Sequence, residues 1–233
     1  MGYRNPNAPA RCQCVVDSIP TRRHVMPVME SDARHASTTR LLDAALHVIR
    51  ATGSAATTVD DICRTAGVTK GSFCHHVATK DALALAAAAH FSARSDGVFT
   101  TAPCRSMPDP LDRLLGDVAF RGESLHGGLP DYTCLPGTLV QETYATHPDI
   151  LAACDSGMSG HIAALTSDVE AAQRLCAPTA TWSEESVGYV IQAILQGAFM
   201  VAKAKQDPAV VHESLAHLAR YLESLLPRPP TTR

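Results

Sequence analysis

Between Thr57 and Leu83 the chain sets three helix starts and two tight turns in one short run, and this spacing constrains the fold more than any other feature. Thr58 is a good N-cap, with Asp61 three residues on to complete a capping-box start. Gly67 can take the left-handed conformation that ends the helix so opened. Thr69 then caps a second, very short helix, and Thr79 a third. Val59, Ile62, Ala66, Val68 and Phe73 fall where two crossed helices bury them, which leaves Thr69, Lys70, Ser72 and His75 facing outward. The pattern reads as a helix-turn-helix whose outward donors suit phosphates and base edges.

Bulk properties narrow the alternatives. The 233 residues are 45% hydrophobic and 18% charged, enough to bury a sizeable core. No apolar run approaches the ~20 residues of a membrane span and the first residues lack a signal-peptide core, so the expectation is a cytoplasmic protein with no membrane partner. A net charge of -3 gives no global basic field, so any nucleic-acid contact has to come from a local cationic surface. The eight cysteines are scattered without a Cys-x-x-Cys pair, which speaks against a zinc module and for small buried hydrophobes. Adjacent His75 and His76 point about 100° apart on a helix and make a poor chelating pair, so neither a metal nor another cofactor is expected. No Gly-x-Ser-x-Gly, His-Glu-x-x-His or phosphate-binding glycine loop occurs, and the chain does not read as an enzyme.

The organisation expected is all-α in two parts. Residues 1–32, with four prolines and no helical period, read as a tail. Residues 33–80 form the three-helix reading head, led by an amphipathic helix from Ser37 that carries Leu41, Leu42, Ala45, Leu46 and Ile49 and stops near Gly53. Residues 81–226 form a second helical domain and 227–233 a short tail. An alanine-rich helix runs from Lys80 to about Asp96 with Gly97 closing it, and a proline-rich loop spans Thr100 to Pro110. Further helices are expected near Leu111–Leu125, Gly137–Thr146, Pro148–Leu175, Ser183–Lys205 and Pro208–Leu226. The last two carry apolar stripes wide enough to pack against a partner as well as against the chain's own core.

The run Thr58, Ile62, Ala66, Gly67, Val68, Thr69, Gly71, His76, Lys80 and Leu83 resembles, in register, the N-terminal pattern of the TetR family of bacterial transcriptional regulators. The likeness is specific over about Arg34 to Phe91. It implies a homodimer that places Thr69 to His76 in the major groove of an operator, with Lys70, Ser72 and His75 nearest the bases or backbone and Gly71 allowing close approach. His75 and His76 divide between phosphate contact and packing. Thr58 and Lys80, at their helix starts, are expected on phosphates, and half-sites about one helical turn apart imply a near-palindrome. Two departures stand out: Cys74 replaces the usual phosphate-binding tyrosine and Val77 the usual core phenylalanine.

A second resemblance covers Tyr132 to Glu142, which looks like the Gly-Cys-Leu-x-Gly-x-Leu-x-x-Glu segment of a TetR subgroup that includes sensors of electrophiles. Cys134 matches its cysteine and is the candidate sensing thiol, a packing residue at a helix start being the plainer reading. The family implies a small-molecule effector in the C-terminal helices, where Phe120, Tyr144 and Trp182, with Leu139, Val140, Met158, Ile162 and Tyr189, offer apolar walls or core. It also implies, by its commoner habit, repression relieved by that effector. The alternative trigger is modification of Cys134, aided by Lys203 or Lys205.

Overall fold

A computed structural model describes residues 28–228 of the chain, all in helices, turns and loops, with no strand among the described residues. The reading head is α1 (Val28–Thr52), α2 (Val59–Ala66) and α3 (Lys70–His76). Its caps are local: Thr58 accepts from the Asp61 amide while Asp61 returns a bond to the Thr58 amide. Gly67 closes α2 at φ 65°, a conformation that costs any other L-residue about 1 kcal/mol or more. Thr69 and Thr79 cap α3 and α4 (Lys80–Thr100) as their spacing predicts.

The body is built from α5 (Pro110–Glu123), α6 (Leu129–Tyr132), α7 (Leu135–Thr143), α8 (Pro148–Cys176), α9 (Glu184–Lys205) and α10 (Ala209–Leu225). Several boundaries differ from the expected ones. α1 starts at Val28, ahead of the periodic stretch, and the remaining tail residues at both ends lie outside the described part of the chain. α4 passes through Gly97 to Thr100, because an interior glycine costs only about 1 kcal/mol when the flanking turns are held. The proline-rich loop winds into a 3-10 turn, Pro103–Ser106, and the short α6 carried no periodic signal.

Two cores form, and the first belongs to both parts of the chain. Leu41, Ile49, Ile62 and Phe73 of the head pack in one cluster with Leu83 of α4, Leu135 and Leu139 of α7 and Ile150 and Cys154 of α8. The second joins α5, α8, α9 and α10 through Leu114, Leu165, Val169, Ile191, Leu195, Leu218 and Leu222. By length and composition alone α9 could cross a membrane, contrary to the expectation that no run approaches that limit. Here it lies between α8 and α10 with Val187, Ile191, Leu195, Ala198 and Ala202 buried.

A charged lattice fixes α5 against α8. Both oxygens of Asp117, whose side chain is 2% exposed, accept from Arg105 at 2.6 Å and Arg121 at 2.7 Å. Asp168 accepts from Arg105 at 2.8 Å and Arg113 at 2.7 Å. The Arg121 guanidinium also lies 3.9 Å from the centre of the Phe99 ring and donates at 2.6 Å to His161 Nε2. Burial first, and then the Arg121 charge, hold His161 down to about 4. It is therefore neutral at neutral pH, accepting through Nε2 and donating from Nδ1 to Gln192 Oε1 at 2.8 Å.

Two outcomes follow from this packing. An unfolded histidine titrates near about 6.5, so the folded chain binds fewer protons than the unfolded one between there and about 4. Stability then falls as pH is lowered through that window, by up to about 1.4 kcal/mol per unit, and is flat above it. Urea unfolding across pH reads the slope, which His161→Gln removes. In the head, Phe73 is 3% exposed, so Phe73→Ala costs about 3–5 kcal/mol in the same assay, whereas Gly67→Ala costs about 1 kcal/mol.

Candidate nucleic-acid interface and cavity

The outer face of the head is formed by α3 and the turn before it. Thr69, Lys70, Gly71 and His75 are exposed, and Ser72 is half-buried, its amide donating to Thr69 Oγ1 at 3.2 Å. Lys70 Nζ sits 2.7 Å from Asp60 Oδ1, an exposed pair that is worth little and opens readily to a stronger anion. Thr58 is exposed, its hydroxyl donating to Asp61 Oδ2 at 2.5 Å. Thr58, Thr69, Lys70, Gly71 and His75 are thus exposed at the turn before α2 and along α3, with Ser72 half-buried among them.

Two other residues expected on DNA are turned elsewhere. His76 is half-buried, with Nδ1 hydrogen-bonded to Thr38 Oγ1 at 3.1 Å, so it braces α3 against α1. Lys80 Nζ donates inward to Ser54 O at 2.9 Å and Thr57 O at 3.1 Å. The ammonium, expected on a phosphate, instead satisfies two carbonyls of the α1–α2 turn. Cys74 and Val77 are partly buried and pack against the first core, so neither reaches outward.

A cavity of about 710 Å³ lies where head and body meet, within the range of about 300–1,000 Å³ usual for ligand sites. Its wall takes Asp43, Leu46, His47 and Arg50 from α1, Phe91 and Phe99 from α4, Arg121 from α5, Tyr132 and Cys134 from α6 and the turn after it, His161 from α8 and Gln192, Gln196 and Phe199 from α9. Of the effector or sensing residues read from the sequence, Cys134 and Met158 line it. Phe120 packs edge-on to Phe99 at 5.8 Å and stands outside the wall. Trp182 packs on the second core near the start of α9, and Tyr144 is 66% exposed at the end of α7. Aromatic character alone could not separate wall from core or surface. The residues that form the wall come from helices distant in sequence, and no local pattern marks them.

Cys134 sits at the head of α7, where its sulfur accepts from the Gly137 amide at 3.4 Å. It borders the large cavity and a smaller one of about 220 Å³ that Lys203 also lines. Burial pushes the thiol up, outweighing the neighbouring Gln196, Arg50 and Lys203. Cys154 beside it is buried and raised to about 11. None of the six cysteines among the described residues is joined in a disulfide.

Comparison with known proteins agrees with this geometry. Residues 41–87 match the model of the bacterial regulatory proteins of the tetR family. No curated protein matches the sequence. Among solved structures, the fold is similar to E. coli NemR in its reduced form, at 22% identity over 84% of this chain and 100% of that one with a TM-score of 0.68. It is also similar to the regulatory protein TetR from Rhodobacter sphaeroides, at 24% identity over 79% and 98% with a TM-score of 0.71. A third is SCO4454, a TetR-family transcriptional regulator from Streptomyces coelicolor, at 20% identity over 82% and 96% with a TM-score of 0.67. Residues 41–87 thus carry the helix-turn-helix segment of the tetR family model, and the chain as a whole shares the fold of these solved structures.

Proposed function

We propose that the protein is a homodimeric repressor that leaves a near-palindromic operator when a small molecule fills the cavity. The observation that carries this reading is the origin of the cavity wall: α1 of the reading head closes it together with α4 to α10. An occupant that fits one spacing of the two reading heads better than another shifts the population by that difference in affinity and by no more. On DNA, Lys70, Ser72 and His75 face the bases and backbone, Thr58 and Thr69 bond phosphates, and Gly71 lets α3 approach. His76 and Lys80 act indirectly by holding α3 and the α1–α2 turn in place. The dimer contact falls on α9 and α10, where Tyr189, Val190, Met200, Val201 and Tyr221 stay exposed despite their size.

A second trigger is favoured by one observation: the Cys134 sulfur stands between the two cavities, close to Lys203. In that reading an electrophile entering the cavity alkylates Cys134. E. coli NemR, similar in fold, was solved in a form described as reduced. Because burial raises the thiol, it is protonated at neutral pH and reacts slowly until an occupant opens the site. Loss of DNA binding on treatment with N-ethylmaleimide that persists unchanged in Cys134→Ser removes this trigger.

The primary test is fluorescence anisotropy of fragments flanking the protein's own coding region across a salt series. One fragment should bind saturably, and Lys70→Ala should weaken it and reduce the slope of log K against log salt by about 1. Lys80→Ala should weaken binding through lost stability of the head, with the slope unchanged. Equal, weak binding to every fragment counts against an operator near the gene, and an unchanged slope in Lys70→Ala counts against Lys70 on a phosphate.

A further inference from the structure

The cavity wall carries Arg50, Arg94, Arg105 and Arg121 together with Asp43, Asp96, Asp117 and Asp131, but not every arginine is ion-paired. Arg105 and Arg121 share Asp117, and Arg94 lies 3.4 Å from Asp43. Arg50 has no carboxylate within ion-pair distance among the described residues. Its Nε donates to Leu46 O at 3.1 Å, and its Nη1 donates to Asp131 O at 3.1 Å and Thr133 O at 3.0 Å. The two nearest acids are engaged elsewhere: Asp131 accepts from the Gly128 amide at 2.8 Å and pairs with His47 at 3.1 Å, and Glu142 accepts from the Ala55 amide at 2.8 Å. Lys203, whose Nζ donates to Arg50 O at 2.8 Å, adds a second cation beside it. Burial lowers the guanidinium to about 10, Asp131 through space opposing it in part and Arg94 adding to it, so it remains charged at neutral pH.

A half-buried cation whose direct hydrogen bonds all go to neutral carbonyls, with Asp131 acting on it only through space, has less than the close ion pair that normally offsets desolvation. Beside it the wall is apolar: the Phe91 ring centre lies 5.9 Å from the guanidinium carbon, and Leu195 and Phe199 continue the surface. We infer that the cavity takes an amphipathic organic anion, its hydrocarbon or aromatic body against Phe91, Leu195 and Phe199 and its carboxylate or sulfonate on Arg50. This rests on the cavity being the effector site and names the chemical class of the effector. A carboxylate accepts charge-assisted bonds from a guanidinium in place of the neutral carbonyls of Asp131 and Thr133. Those two carbonyls flank the junction of α6 and α7, so the same exchange releases the end of α1 from the body.

The test uses two ligands of one shape, 2-naphthoate and its neutral counterpart 2-naphthamide, titrated calorimetrically into the full chain. The naphthoate should bind about tenfold tighter or better, the preference should vanish in Arg50→Gln, and Arg50→Lys should keep most of it. Thermal unfolding of both variants reports whether they fold, and the comparison of the two ligands on the wild-type chain stands without either variant. Equal binding of acid and amide to the wild-type chain overturns the anion assignment and leaves the effector site standing. Binding of neither ligand overturns both, while operator binding measured in parallel keeps its own standing.

Discussion

The carboxyl end of α1 leaves main-chain carbonyls without helical partners, as every helix end does, and side chains from outside the helix take them. Lys203 reaches from α9 to the carbonyl of Arg50, and Lys80 reaches from the start of α4 to those of Ser54 and Thr57. On the same turn the Ala55 amide is held by Glu142 of α7, and Gly53 turns the chain at φ 85° close against that carboxylate. One short corner of backbone is therefore secured by two lysines and a glutamate from three other helices. The orientation of the reading head, and the closing of the cavity over Arg50, both depend on it.

The head was legible because its signals are local. Thr58, Thr69, Thr79 and Gly67 act on backbone groups within three residues, and the alternation of apolar positions fixes which faces cross. Lys80 shows the limit of that logic. Its place in the motif is plain from spacing, but the carbonyls that claim its ammonium lie 26 and 23 residues away, and nothing near it in sequence announces them.

The cavity was illegible for the same reason on a larger scale. Arg50, Phe91, Arg121, His161, Gln192 and Phe199 come from five helices, and each alone reads as an ordinary member of an amphipathic stripe. Phe120, Trp182 and Tyr144 were equally good candidates by residue type, and packing sent them to an edge contact, a core and the surface. Cys134, carried by a motif rather than by hydrophobicity, and Met158 are the candidates that border the cavity. α9 makes the converse point: a helix that buries one side in its own core and keeps Tyr189, Val190, Met200 and Val201 on the other acquires the composition of a membrane span.

α4 is unbroken across Gly97, and its two ends have different neighbours. Its first turn is tied to the corner behind α3, and residues from Phe91 to Thr100 border the cavity. Its 21 residues make a rod about 30 Å long. A rotation of about 5° about one end of such a rod carries the other through about 2.5 Å, most of the 3.4 Å rise between successive base pairs along a strand. Over that length a small rotation at one end of such a rod is already large, at the other, on the scale of the spacing between base pairs.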